Sequence, residues 1–331
     1  MSEVGHNEIS GTSFRARIKL WLLETRAPFL TAALIPVLLG TAIAWGVGGV
    51  FHWGYFLLAL ISGLCLQAAV NVLNDYFDHK STCDDINVEY VSPFTGGSRL
   101  IQMGLLKPST VLKEGLIFLA IGSLIGLYLV WSRGLPVLWL GIIGVFFVYF
   151  YTAPPLKLSY RGGGELAVGL SFGVLMSLGA YYVQTQTLAW LPVIAAVPVT
   201  MLIAAVLYIN EFPDYAADKA AGRKHLVVRM GKARAAKGYI VLMSLAYLSI
   251  VVSSIYGQFW GIPSALPLSP FILLGLLTLP QAIKAMRITR EYYANSASLA
   301  PANAYTIQIH LRTGILLTAA FLLAGAVNLI V

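Results

Sequence analysis

Charge is what this chain has least of. Only 11% of its 331 residues are Asp, Glu, Lys or Arg, where a soluble domain carries about 25%, and this excludes a water-facing surface over most of its length. Thiols are equally sparse. Cys65 lies in an apolar run and Cys83 in a polar stretch, so one pair at mismatched depths makes no disulfide framework and both read as free. No Walker-type phosphate loop, zinc-protease helix or paired CxxC occurs, which removes the commonest soluble nucleotide and zinc chemistries. Residues 1 to 14 are polar and the first apolar run is full length, so a cleaved signal peptide is not expected.

Long apolar runs are abundant, with 58% of the residues hydrophobic. They centre on 27–47, 54–74, 112–132, 136–153, 165–185, 189–209, 238–257, 267–285 and 312–331, each near the roughly 20 residues that cross a bilayer as a helix. The expected fold is therefore an all-α polytopic membrane protein of about nine transmembrane helices in one bundle. Residues 1–25 form an N-terminal segment and 26–331 the membrane domain. Basic residues divide cleanly between the two faces of that arrangement. Arg15, Arg17, Lys19 and Arg26 precede the first span; Lys80, Arg99, Lys107 and Lys113 follow the second; Lys157 and Arg161 follow the fourth. Lys219, Arg223, Lys224, Arg229, Lys232, Arg234 and Lys237 follow the sixth, and Lys284, Arg287, Arg290 and Arg312 fall between the eighth and ninth. Arg133 alone takes the other face.

Lysine and arginine mark the cytoplasmic side of a plasma (inner) membrane protein. The N-terminus and the long connections at 75–111 and 211–237 are expected there, with the C-terminus opposite. Every acidic residue falls on the same face. The net charge of +8 thus reflects topology, and nucleic acid is not an expected partner. Phe14 to Glu24 mixes cations with Ile18, Leu20, Trp21, Leu22 and Leu23, which suits an interfacial helix on anionic lipid as well as a charged flank of the first span.

The acidic residues form two matched clusters. The second span ends in Asn71, Asn74, Asp75 and Asp78, at i, i+3, i+4 and i+7, so a continuing helix brings four oxygen-bearing side chains to one face. The sixth ends in Asn210, Glu211, Pro213, Asp214 and Asp218, where Asn210, Asp214 and Asp218 share a stripe and Pro213 is expected to kink the turn. Each cluster closes a span and opens a connection, four spans apart, as the equivalent points of an internal repeat would. Oxygen ligands without histidine or thiolate favour Mg²⁺, which binds through a few carboxylates together with substrate phosphates. Arg26, Arg99, Lys157, Arg161, Lys219, Arg223 and Lys224 lie near the same level, with side chains suited to phosphate. Thr95, Gly96, Gly97, Ser98 and Arg99 could place backbone amides around an anion, and the turn from Tyr151 through Pro154 and Pro155 to Tyr160 and Arg161 brings further cations to that face.

With these residues in view, the chain resembles the UbiA superfamily of intramembrane aromatic prenyltransferases over almost its whole length. Asn74, Asp75, Tyr76, Phe77 and Asp78, followed by Asp84, resemble its first aspartate-rich motif. Asp214 and Asp218 with Gly222, Arg223 and Lys224 resemble the second. The resemblance implies nine transmembrane helices, Mg²⁺, and transfer of an isoprenoid from a polyprenyl diphosphate to an aromatic acceptor. It implies that Asn74, Asp78, Asp214 and Asp218 hold the metal diphosphate, with Asn210 alongside, and that Asp75 and Asp84 support it or handle protons. Thr95 to Arg99 and Asn210 to Asp214 most resemble the branch that includes the 1,4-dihydroxy-2-naphthoate prenyltransferases of menaquinone synthesis. Tyr151 to Leu158 is also similar to chlorophyll synthase, so 4-hydroxybenzoate, homogentisate or a tetrapyrrole stay open as acceptors.

The chemistry follows from charge. Ionisation of an allylic diphosphate needs its leaving oxygens neutralised, a role expected of both clusters with Arg26, Asn71, Arg99, Lys157, Arg161, Arg223 and Lys224. Tyr76, Tyr151, Tyr160 and Tyr215 are candidates to face the allylic cation. A cation-coupled secondary transporter with repeated acidic sites is the competing reading.

Overall fold

Hydropathy places the spans, but packing decides how far each helix continues beyond the apolar stretch. The computed structural model describes residues 14–256 and 270–328; the connection expected at 258–266 and the end of the last span lie outside them. In chain order the helices are α1 (Phe14–Glu24), α2 (Thr31–Gly48), α3 (Trp53–Lys80), α4 (Pro108–Arg133) and α5 (Leu135–Phe150). There follow α6 (Gly164–Thr185), α7 (Trp190–Ala220), α8 (Leu226–Met230), α9 (Lys232–Tyr256), α10 (Leu279–Tyr292) and α11 (Ser296–Asn328). A 3₁₀ turn, Ala27–Leu30, leads into α2, and a longer one, Pro270–Thr278, leads into α10. Among the described residues there is no strand. Eight of the helices are long and apolar enough to cross a bilayer, and α5 is a shorter apolar helix, in keeping with an expectation of about nine.

Three boundaries differ from the hydropathy pattern. Both helices that carry the acidic clusters run on past their apolar stretches, α3 to Lys80 and α7 to Ala220. Pro213 does not break α7. A proline removes the donor that would meet the carbonyl four residues back, here Ile209, and the Asn303 side chain on α11 supplies one instead, donating to the Ile209 carbonyl at 3.1 Å and to Asn210 Oδ1 at 2.8 Å. The long connection expected over 211–237 is accordingly mostly helix. The third difference is α11, which begins at Ser296 and so encloses Arg312, a residue the hydropathy pattern left in a connection.

The helices approach closely where side chains are small. Gly169 and Gly173 on α6 pack against Thr200 of α7, and a Cβ at Gly173 would lie 2.6 Å from the Thr200 Cα, the small-xxx-small contact of membrane helices. Leu170–Leu175, a stretch that includes Gly173, forms a π turn, a distortion often found at functional sites. Around this contact Ala32, Ala69, Val70, Val148, Tyr151, Phe172, Ile203, Val206 and Ile307 form an apolar cluster, which is the floor beneath the polar ends of α3 and α7. At the same end α1 buries Leu20 and Glu24 and leaves Ile18, Leu22 and Leu23 exposed.

Candidate active site

The two acidic clusters converge on one cavity. Its lining includes Asn71, Asn74 and Asp78 from α3, Asn210, Glu211, Asp214 and Asp218 from α7, and Arg26, Asp84, Tyr151 and Arg223 from the connections. On α3, Gln67 Nε2 donates to Asn71 Oδ1 at 3.0 Å, Asn71 Nδ2 to the Thr25 carbonyl at 2.7 Å, and Asn74 Nδ2 to Asp78 Oδ2 at 2.6 Å. These bonds fix the side chains in rotamers that face the cavity. Arg223 joins the two arms, its Nη1 at 2.8 Å from Asp78 and 3.7 Å from Asp218. Burial works against its charge, but the two carboxylates outweigh burial and hold it well above its ordinary value.

The loop between α3 and α4 lies across both arms. Asn87 Nδ2 donates to Asp214 Oδ1 at 2.6 Å, and the Cys83 thiol to Asp218 Oδ1 at 2.7 Å. Burial, then Asp218, raises that thiol's pKa, so it stays protonated and a donor. Arg26 ties the loop down by donating to the Phe94 carbonyl at 2.9 Å, with its ring-facing side over Phe29. Asp84 faces the cavity, where burial and then Asp78, Asp75 and Asp214 push it well above the usual carboxylate range.

Several expected site residues take other places. Asp75 turns away from the other three members of its stripe, and its Oδ2 accepts from the Ser98 amide at 2.6 Å, with Arg26 3.8 Å from Oδ1. The Gly96 amide donates to Asp214 at 3.4 Å. The amides expected to cradle an external anion are thus turned to the protein's own carboxylates. Gly97 allows this: its φ is +72°, and a Cβ there would sit 2.6 Å from Asp84 Oδ2. Arg99 lies outside the cavity lining, bonded to the Asp84 carbonyl and stacked over Tyr90. Lys157 stacks over Tyr160, whose hydroxyl lies 2.6 Å from Ser81 Oγ and donates to Asp78 Oδ1 at 3.2 Å. Arg161 and Lys224 are exposed; Arg161 donates to the Pro155 carbonyl.

A layer that residue spacing did not reveal stands behind the cavity. His225 Nε2 is 2.8 Å from Asp218 Oδ2 and its Nδ1 is 3.1 Å from Glu211 Oε2. Glu165, at the start of α6, lies beside them and accepts from the Leu226 amide at 2.8 Å. Burial opposes charge on His225, but Glu211 and Asp218 push it up to about 9. On the other flank Ser98 Oγ donates to Glu24 at 2.5 Å. Burial, with Asp75 nearby, pushes Glu24 up to about 9. Glu24 is isolated in sequence from both motifs; His225 directly follows Lys224 and stands seven residues after Asp218, but it lies beyond the end of α7 at Ala220, so helical spacing does not place it.

Oxygen donors from two helix ends, two arginines and an apolar floor in one cavity make a place where a charged head and an apolar tail can lie together. Comparison with known proteins agrees with this arrangement. Residues 33–307 match the UbiA prenyltransferase family. The chain belongs to that family. It is therefore an enzyme, a membrane prenyltransferase, and the transporter reading is set aside. It is 28% identical to 2-carboxy-1,4-naphthoquinone phytyltransferase of Synechocystis sp., over 93% of this chain and 94% of that one. It is 30% identical to 1,4-dihydroxy-2-naphthoate octaprenyltransferase of Bacillus subtilis, over 81% of each. Its fold is also that of a UbiA homolog from Archaeoglobus fulgidus solved with DMAPP and Mg²⁺, with a TM-score of 0.58, 17% identity, and coverage of 94% of this chain and 99% of that one.

Proposed function

We propose that the protein transfers a polyprenyl group from its allylic diphosphate to 1,4-dihydroxy-2-naphthoate, with Mg²⁺ held by Asn74, Asp78, Asn210, Asp214 and Asp218. The observation that carries this reading is the composition of one cavity: all five of these oxygen donors line it with Arg26 and Arg223, above Val70, Phe172, Ile203 and Val206. The donor set fits the metal, since Mg²⁺ takes oxygen ligands and shares them with phosphate. When bound, the ion supplies neutralising charge to the diphosphate. Arg26 and Arg223 would add fixed positive charge at the leaving oxygens, and Asn71 a side-chain amide on the same wall. The apolar floor would keep water from the allylic cation, and Tyr151, buried in the lining, would present an aromatic face to it. The allylic carbon–oxygen bond breaks, a bond to the ring carbon forms, and the ring gives up a proton, or carbon dioxide where a naphthoate carboxylate leaves.

Asp75, Asp84, Arg99, Lys157, Tyr160, Arg161 and Lys224 would act around this centre: Asp75 and Arg99 by holding the loop, Tyr160 by orienting Asp78, and the exposed cations by attracting the diphosphate. The acceptor is inferred from the names of the two curated relatives, which share a naphthalene nucleus and differ in the prenyl group. The charged face is taken as cytoplasmic, with α1 resting on the membrane surface there and the end of α11 opposite.

The test is product analysis by mass spectrometry, with 1,4-dihydroxy-2-naphthoate, 4-hydroxybenzoate and homogentisate supplied together with polyprenyl diphosphates of several lengths. The expected result is a prenylated naphthalene product formed with Mg²⁺ and abolished by EDTA. Preferential prenylation of a benzenoid acceptor would overturn the acceptor assignment, and turnover indifferent to EDTA would overturn the metal assignment.

A further inference from the structure

On the outer surface of the bundle, away from the active site, α10 and α11 enclose a groove with unusual contents for a membrane span. Arg312, exposed on α11, donates from Nη1 to Gln281 Oε1 at 2.9 Å. Gln281 Nε2 in turn donates to Gln308 Oε1 at 2.8 Å. Lys284, one turn along α10 from Gln281, is exposed with its ammonium 4.9 Å over the Tyr305 ring. Arg287 follows on the same stripe and is exposed. Below these polar groups lies a hollow lined by Leu277, Pro280, Gln281, Arg312, Ile315 and Leu316.

Helix register fixes the depth of Arg312. Gly314 packs against Ile35 and Gly325 against Gly46, so α2 and α11 run parallel with a constant offset. Arg312 is therefore level with Ala33, six residues inside the span that begins at Ala27, or roughly 9 Å below its charged end. A cation facing lipid at that depth is costly unless it reaches the interface or finds a counter-charge. The partner present, the Gln281 carbonyl, is neutral. Arginine carries five N–H donors, and the single bond to Gln281 leaves the fork largely open. Among the described residues no carboxylate pairs with Arg312, Lys284 or Arg287.

We propose that this groove binds an anionic phospholipid of the leaflet on the charged face, its phosphate pairing with Arg312 and Lys284 and one acyl chain lying in the hollow. The arginine fork suits phosphate oxygens and the lysine adds a point charge. Side-chain stems reach the phosphate level from within the span. Zwitterionic lipid is disfavoured because the groove offers its ammonium no carboxylate, and free phosphate gains nothing from the apolar hollow. The position of Arg312 inside α11 thereby acquires a physical reason.

The test uses the full chain purified in mild detergent, incubated with equal amounts of phosphatidylglycerol and phosphatidylcholine, repurified, and assayed for bound lipid by mass spectrometry. Phosphatidylglycerol should be retained in preference and should raise the thermal midpoint, while inorganic phosphate should not. Arg312→Gln and Lys284→Gln should each lower retention about fivefold, the effect of one basic residue at an anionic surface, and should leave turnover in detergent unchanged. If Arg312→Gln lowers the midpoint without lipid, Lys284→Gln gives the deciding comparison, since Lys284 makes no hydrogen bond that the fold needs. Equal retention of the two lipids, unchanged retention in both variants, or an equal midpoint shift from inorganic phosphate would overturn the proposal. So would a dimer that Arg312→Gln dissolves, because the groove would then be covered by a second copy.

Discussion

The two faces of the molecule use arginine in opposite ways. At the sparsely charged face, Arg133 is consumed by the end of a neighbouring helix: Nε donates to the Val183 carbonyl at 2.6 Å and Nη2 to the Gln184 carbonyl at 2.7 Å, while the guanidinium lies over Tyr55. Gln184 spans the backbone of His52, accepting from its amide at 2.6 Å and donating to its carbonyl at 3.2 Å. These groups satisfy helix ends that have no intrahelical partners. At the charged face, Arg223 and Arg26 instead share carboxylates inside an open cavity. A helix end closed by its own side chains holds the bundle together, whereas one whose polar groups converge on open space is available to a ligand.

Substitutions that divide the faces most sharply are those of the metal-facing carboxylates. Asp78→Ala and Asp214→Ala should each reduce diphosphate release per folded molecule by on the order of 10²- to 10³-fold, as lost electrostatic stabilisation of developing charge does, and Asp78→Ala should also lower the thermal midpoint, because it leaves buried Arg223 without its 2.8 Å partner. Full turnover in either folded variant would disprove the assigned roles. Next is the pH dependence of His225, measured on EDTA-treated protein. Its folded pKa of about 9 lies above the ordinary 6.5, so its stabilising contribution is complete below about pH 6.5 and is lost as pH rises through 9. The shift corresponds to roughly 3 kcal/mol. Thermal midpoints recorded from pH 6 to 10 should fall across that window, and His225→Gln should flatten the curve.

How much of this was legible in the sequence follows from the reach of each force. Apolar length and the distribution of Lys and Arg depend on the bilayer alone, so they gave the spans and the division of the faces without tertiary knowledge. Helical spacing brought Asn74 and Asp78, and Asn210, Asp214 and Asp218, to one side. It could not show that Asp75 would turn to Ser98, because that choice depends on a loop folding back over the helix. Pro213 reads locally as a kink, and the donor that meets the carbonyl it leaves open in α7 comes from Asn303, 94 residues beyond that carbonyl. Glu165, Glu211 and His225 meet only because α6 and α8 pack beside α7, so no window along the chain contains them. Hydropathy likewise averaged Arg312 into a connection, since a single polar stripe on one side of a helix lowers the mean of its whole segment.

A smaller effect is expected where the loop crosses the arms. Gly97→Ala places a side chain at positive φ and against Asp84 Oδ2, which should cost about 2 kcal/mol in local strain and displace the amides that hold Asp75 and Asp214. Its signature should be a higher KM for diphosphate, with a lesser change in thermal midpoint.

The smallest effect, and the one that closes the comparison, belongs to Arg133. Arg133→Gln removes charge-assisted bonds to two carbonyls at the far face, and it should lower stability by about 1 kcal/mol. None of the hydrogen-bond or ring partners of Arg133 lines the cavity, so turnover per folded molecule should equal that of the parent protein, and the metal dependence should not move. If Arg133→Gln instead changed KM for diphosphate or Mg²⁺, the far face would be coupled to the site through α4 and α6. The division between a closing face and a working face would then fail, because the same helices that are capped at one end would be transmitting their position to the other.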